Sequence, residues 1–134
     1  MKILAIGNSF SQDATRYLKQ IADADSYPMK VVNLYIGGCS LLWHYNNMIS
    51  DAKEYSYELS GRATGKMVSI KDALQEDEWD VVTLQQVSRQ SFDFGTYEPY
   101  LSELAGYVRK LAPSAKIYIH QTWAYEDGSD KLPF

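Results

Sequence analysis

The sequence predicts an α/β protein of three layers, a parallel sheet between two layers of helices. Three observations carry that prediction. Residues 3–6 (I-L-A-I), 30–36, 81–84 and 116–120 are short runs rich in branched apolar residues, the pattern of strands covered on both faces. Amphipathic helical spacing falls between them, so strands and helices alternate along the chain. Each run gives way to a polar or glycine-containing segment, and in a parallel sheet those segments gather at the carboxyl edge, where ligands bind.

In chain order, the first strand stops at Gly7, and Asn8, Ser9, Phe10 and Ser11 follow before helical spacing begins. Ser9 is therefore expected on a tight turn at the carboxyl end of a strand, near the positive end of the next helix. A base and a substrate can reach a hydroxyl held there, which makes Ser9 a candidate nucleophile. Ala14, Tyr17, Leu18, Ile21 and Ala22 recur at helical spacing and predict one buried face, with Asp13 or Ser11 as the cap. Asp25, Ser26, Tyr27 and Pro28 end that helix, and residues 30–36 complete a right-handed strand-helix-strand unit. Gly37 and Gly38 close the second strand at the same edge as Ser9. A glycine there either makes a plain turn or lets the backbone aim an amide at a ligand, as an oxyanion hole requires.

Residues 41–79 form a long connection. It opens on a helix-like L-L-W-H-Y-N-N-M-I, continues through a small hairpin (residues 55–59 and 66–68) read as an excursion from the sheet, and ends in a short helix over 70–75. The third strand, 81–84, runs into Gln85, Gln86, Val87 and Ser88. Strand alternation admits only one of the two glutamines to a site, and Gln86 is favoured, supported by Ser88. After a loop at 92–95, Leu101, Leu104, Ala105, Val108 and Leu111 trace an amphipathic helix that Ala112 and Pro113 stop. Residues 116–120 make the fourth strand, and 121–134 are polar and aromatic without a clear pattern.

The G-N-S-F-S block after an N-terminal strand resembles the first block of the SGNH (GDSL-like) hydrolases. Gly37 and Gly38 after the second strand, L-Q-Q-V-S-R-Q-S at 84–91 and I-Y-I-H-Q-T-W-A-Y at 117–125 extend the likeness over nearly the whole chain, towards a bacterial, DUF4886-like branch of that superfamily. The resemblance implies a flavodoxin-like SGNH fold, Ser9 as nucleophile of an esterase, and a glycine amide after the second strand as an oxyanion donor, with Gly38 the better match and Gly37 the reserve. In the resembled family the third strand ends in Gly-x-Asn-Asp, whose asparagine is a further oxyanion donor; here Gln86, or Gln85, stands in its place. It also implies a small acyl ester as substrate, an acetyl group on a carbohydrate above all. Asn8, Ser88, Trp123 and Tyr125 are then candidate substrate-binding residues, and Trp43, Tyr45 and Phe92 join the last two as candidates for a sugar platform.

Composition narrows the partners. One chain of 134 residues is a single domain's worth, and a net charge of -4 without a basic patch argues against nucleic acid or an anionic membrane as partner. Cys39, the single cysteine, has no internal partner, so nothing demands an oxidising compartment; the expectation is a soluble, cytoplasmic protein unless an export signal was removed. His44, His120 and Cys39 lack zinc spacing, and no metal or other cofactor is expected.

The proton acceptor is the missing piece. SGNH enzymes carry it in an Asp-x-x-His block after a fifth strand, and this sequence has no such block, so the domain reads as incomplete at its C-terminus, after the fourth strand. His120 lies at the correct edge. In the strand order 2-1-3-4, however, two strand spacings of about 5 Å each put it roughly 10 Å from the first strand, against the ~3 Å of a direct hydrogen bond. His44 reads as a packing or surface residue. A fourth strand without a fifth leaves an open edge, which invites a homo-oligomer. Two other readings stand beside the esterase: a non-catalytic module in which Asn8, Ser9 and Ser11 cradle a phosphate at a helix N-terminus, and an inactive relic of the fold.

Overall fold

A computed structural model of the chain describes residues 1–123 and 125–132. The elements run β1 (Lys2–Gly7), α1 (Ser9–Thr15), α2 (Leu18–Ala24), β2 (Lys30–Tyr35), α3 (Leu41–Ser50), β3 (Tyr55–Leu59), β4 (Arg62–Val68), α4 (Ile70–Glu76), β5 (Val81–Leu84), α5 (Tyr100–Leu111) and β6 (Lys116–Ile119), with two short 3-10 turns at Ser88–Gln90 and Phe94–Thr96. The six strands form one sheet in the order β4-β3-β2-β1-β5-β6. Strands β2, β1, β5 and β6 are mutually parallel, in the expected order 2-1-3-4. The hairpin is not an excursion from the sheet: β3 pairs antiparallel with β2, and β4 with β3, so it extends the sheet by two strands. Helices flank both faces, α1 and α2 packing together and α3, α4 and α5 forming the other layer. The architecture is a three-layer, flavodoxin-like α/β fold with a mostly parallel sheet.

Why these strands are central follows from their side chains. Leu4, Ile6, Val32, Leu34, Val82 and Leu84 are all buried and, by alternation, project from one face into a single core with Leu41, Ile70, Leu74, Trp79, Leu104 and Val108. Removing side chains of this size from water stabilises the fold by about 1.5–3 kcal/mol each. Helix α4 starts in a capping box, Ser69 and Asp72 satisfying each other's backbone amides, and Trp79 donates from Nε1 to the Ala73 carbonyl at 2.9 Å.

The opposite face differs. The residues that alternate with the core set, Asn33 on β2 and Glu58 on β3, are paired across the ladder and buried. Asn33 Nδ2 donates to Glu58 Oε1 at 2.7 Å, and Gln12 Nε2 of α1 donates to Glu58 Oε2 at 2.7 Å. Helix α1 therefore rests on a polar layer. This overturns the expected helical face: among Ala14, Tyr17, Leu18, Ile21 and Ala22 only Ala22 is buried, Leu18 is half-buried, and Tyr17 and Ile21 are exposed. The helix also breaks at Arg16 and Tyr17, and its cap is Asn8 rather than Asp13 or Ser11. Gly61, at a φ of +80°, fits against the Arg16 carbonyl and holds the hairpin to that break.

Candidate functional site

The polypeptide turns out of β1 at Asn8, and that side chain organises the turn. Asn8 Oδ1 accepts from Phe10 N (3.0 Å) and from Gln85 Nε2 (2.9 Å), while its Nδ2 donates to the Cys39 carbonyl at 3.1 Å. One buried amide thus caps α1 and joins the ends of β1, β2 and β5. Ser11 is buried as well, its hydroxyl donating to the Asn8 carbonyl at 2.9 Å. Gly7 makes room for this arrangement: a Cβ there would collide with Ser11 Oγ and lie 2.7 Å from Gln85 Oε1. Between the inward-turned Asn8 and Ser11, Ser9 is exposed, and among the described residues its hydroxyl makes no hydrogen bond.

Gly38 lies in the loop that Asn8 holds. Its φ of +67° is left-handed, which favours glycine, and the guanidinium of Arg89 stands 3.6 Å from the position a Cβ would take. The expected phosphate cradle does not form. Of its three residues only Ser9 is turned outward, Asn8 and Ser11 being buried and engaged with backbone.

Strand alternation sends the two glutamines to opposite sides, and the one that meets the Ser9 turn is Gln85. Gln86, favoured from the sequence as the amide donor, is a clamp instead. Its Oε1 accepts from Leu41 N (2.9 Å) and Val87 N (2.8 Å), and its Nε2 donates to the Thr96 carbonyl and hydroxyl, both at 3.1 Å. Ser88 does not support Gln86 either; it accepts a hydrogen bond from the Tyr125 hydroxyl at 3.0 Å. Gln85 Oε1 is buried without a partner among the described residues.

His44 belongs to the core. It is fully buried, its ring stacked on Tyr55, with Nδ1 2.7 Å from the Tyr55 hydroxyl and 3.4 Å from Cys39 Sγ. Burial lowers its pKa to about 3 and pushes the Cys39 thiol up to about 12, so both are neutral and poor candidates for chemistry. His120 follows β6, its amide donating to the Leu84 carbonyl at 2.8 Å, and β5 separates it from β1. It is half-buried, which lowers its pKa. Two clefts meet at His120, Gln121 and Thr122. One, of about 420 Å3, is completed by Phe10, Asp13, Ala14 and Trp123, and the other, of about 360 Å3, by Gln86, Ser91, Phe94, Tyr97 and Ile119.

The aromatic candidates divide. Trp123 is 78% exposed and walls the first cleft, and Tyr125 touches Ser88 with Lys131 over its ring. Trp43 on α3 and Phe92 are both exposed, and Tyr45 packs against Tyr100 at the rim of the core, away from a platform. Arg89 and Gln85 were the residues that sequence reasoning undervalued. Strand alternation was the signal for Gln85, and nothing local pointed to Arg89. Among the described residues no group of three or more His, Cys, Asp or Glu is placed to hold a metal, and no helix is long and apolar enough to cross a membrane.

Residues 2–134 match the family model described as Domain of unknown function (DUF4886). The crystal structure of a DUF4886 family protein from Bacteroides uniformis ATCC 8492 is similar at a TM-score of 0.86 and 36% identity, over 97% of this chain and 52% of that one. A protein from Slackia heliotrinireducens, described as "a putative SGNH hydrolase", is similar at a TM-score of 0.62 and 25% identity, over 98% of this chain and 61% of that one. This chain thus spans about half the length of the first and three-fifths of the second. No curated protein matches it.

Proposed function

The chain belongs to the DUF4886 family, and we propose that it is a serine esterase of SGNH type acting on small acyl esters, acetyl esters of carbohydrate above all. The likeness to an SGNH hydrolase supports the hydrolase superfamily. The observation that carries the finer reading is the isolation of Ser9: an exposed hydroxyl on a turn that a buried, hydrogen-bonded Asn8 holds against the Gly38 loop. In this reading Ser9 Oγ attacks the ester carbonyl, forming the Oγ–C bond. The amides of Ser9 and Gly38 stabilise the developing oxyanion, neither being used by another group among the described residues. The tetrahedral intermediate collapses by losing the alcohol, and water then releases the acid from the acyl-serine. Gln86 holds the start of α3 and the Thr96 loop beside Gly38, and Trp123 and Tyr125 contact the sugar.

Proton transfer falls to an Asp-His pair that this sequence does not carry. His120 is separated from β1 by β5, and His44 is sealed in the core. The test is hydrolysis of a small acetyl ester by the 134-residue chain beside Ser9→Ala, together with labelling by a serine-directed phosphonate. Hydrolysis lost with Ser9→Ala supports the reading, and His120→Ala then asks whether that histidine serves as base. A loss of ~10⁴ or more relative to longer family members is expected of a site without its base. Equal rates for both forms, in this chain and in a longer family member carrying the same change, would overturn it.

A further inference from the structure

Arg89 has no role in that reaction, yet it stands over the Gly38 turn. It follows β5 on the 3-10 turn Ser88–Gln90, is exposed, and forms no ion pair among the described residues. Next to it in sequence, Ser88 Oγ accepts from the Tyr125 hydroxyl, and Lys131 Nζ lies 5.4 Å from the centre of the Tyr125 ring. Lys131 likewise makes no ion pair among the described residues. The one carboxylate on the turn beyond Arg89, Asp93, accepts from Gly95 N at 3.0 Å. In a chain of net charge -4, a guanidinium without an ion pair among the described residues thus stands beside the turn proposed to hold the oxyanion.

We propose that Arg89 forms a subsite for a carboxylate on the alcohol part of the substrate, so that the preferred ester is an acylated acidic sugar such as an O-acetylated uronic acid. This inference rests on the Ser9 esterase reading for the position of the ester. A guanidinium presents paired N–H donors that fit a carboxylate in two parallel hydrogen bonds, a geometry a neutral hexose does not offer. Because Arg89 is exposed, the attraction is screened by salt and discriminates modestly.

The test compares an O-acetylated methyl glucuronoside with the matching O-acetylated methyl glucoside, reading the ratio of their kcat/KM values. At low ionic strength the ratio is expected to favour the uronate by about two- to fivefold, as for one exposed ion pair. It should shrink as salt is raised and fall towards one in Arg89→Gln, with Arg89→Lys between. A ratio near one in the unaltered chain overturns the subsite, and so does Arg89→Gln lowering both substrates equally, which would make Arg89 a stabiliser of the oxyanion. Binding is read separately, by NMR titration of the unacetylated methyl glucuronoside and methyl glucoside into Ser9→Ala, which hydrolyses nothing. Selective uronate binding lost on adding Arg89→Gln supports the subsite even if no ester is cleaved; equal shifts for both sugars reject it. Selective binding without Ser9-dependent hydrolysis, in this chain and in a longer family member, would therefore sink the esterase reading and leave the subsite standing.

Discussion

Replacing Asn8 by alanine should do more damage than the loss of one small polar side chain suggests. Three separable contacts disappear. The N-cap bond to Phe10 N is worth about 1 kcal/mol. Gln85 Nε2 loses its acceptor inside the protein, a desolvation cost of roughly 1–3 kcal/mol, the larger because Gln85 Oε1 already lacks a partner among the described residues. The Cys39 carbonyl loses a donor, about 0.5–1 kcal/mol more. Allowing for incomplete additivity among contacts that share one side chain, the total is about 3 kcal/mol. For a domain of this size that lowers the melting temperature by roughly 10 °C. Urea denaturation followed by circular dichroism measures it directly. A loss below about 1 kcal/mol would refute the view of Asn8 as the hub of the turn. Asn8→Asp sharpens the test, because it keeps the acceptor for Phe10 N and Gln85 Nε2 but turns a second oxygen towards the Cys39 carbonyl. A carboxyl buried there has its pKa raised, so its stability is present below the unfolded value of ~3.9 and lost as pH rises through the folded value. The deficit of this variant against the native chain should therefore widen between pH 4 and 7.

Other perturbations discriminate between sites that look alike in sequence. Gly61 and Gly65 both have φ of +80°, but a Cβ at Gly61 would run into the Arg16 carbonyl whereas at Gly65 it would meet nothing within 4 Å. Gly65→Ala should cost about 1 kcal/mol and Gly61→Ala at least ~3 kcal/mol by chemical denaturation, since backbone cannot swing aside. Gly7→Ala should both destabilise the fold by about 1–3 kcal/mol and shift the Ser9 turn, and adding Ser11→Gly should recover much of the loss; a cycle without coupling would refute the proposed collision. His44, with a folded pKa near 3 against ~6.5 unfolded, contributes stability that is complete above pH 6.5 and is lost as pH falls towards 3. By pH 5 the loss should reach about 2 kcal/mol, seen as a steeper acid dependence of the urea midpoint in the native chain than in His44→Gln.

The parallel core was legible because its determinants are local. Val81, Val82 and Leu84 sit in an uninterrupted run, and α5 presents Leu104, Ala105 and Val108 at the spacing of a buried stripe. The hairpin was legible as a hairpin but not as sheet, since pairing of β3 with β2 joins residues such as Asn33 and Glu58 that lie 25 positions apart. The turns at Ser9 after β1 and at Gly38 after β2 were legible as turns at one edge of the sheet, and the Asn8 bond to the Cys39 carbonyl ties them together. The roles of Gln85 and Gln86 were not, because what decides between them is their partners: Asn8, 77 positions away, for one and Thr96 for the other.

Helix α1 was misread for a deeper reason. Periodicity arguments assume that the face towards the sheet is apolar, and on α1 that face is polar while Ala14 is exposed. The inward face carries Ser11, Gln12 and Thr15, and the sheet answers with Asn33 and Glu58. An apolar interface would hold a helix with little directional preference, since burial is indifferent to small slides and rotations. A hydrogen-bonded one is different: moving α1 by one residue would strip Gln12 from Glu58 and Asn8 from both Gln85 and the Cys39 carbonyl together, leaving buried groups unsatisfied on both sides. The polar underside thus fixes the register of α1 on the sheet, and with it the position of Ser9 at the helix start. In the proposed site, which needs one hydroxyl placed against one left-handed turn, the residues that violate the hydrophobic pattern are the ones that set the geometry.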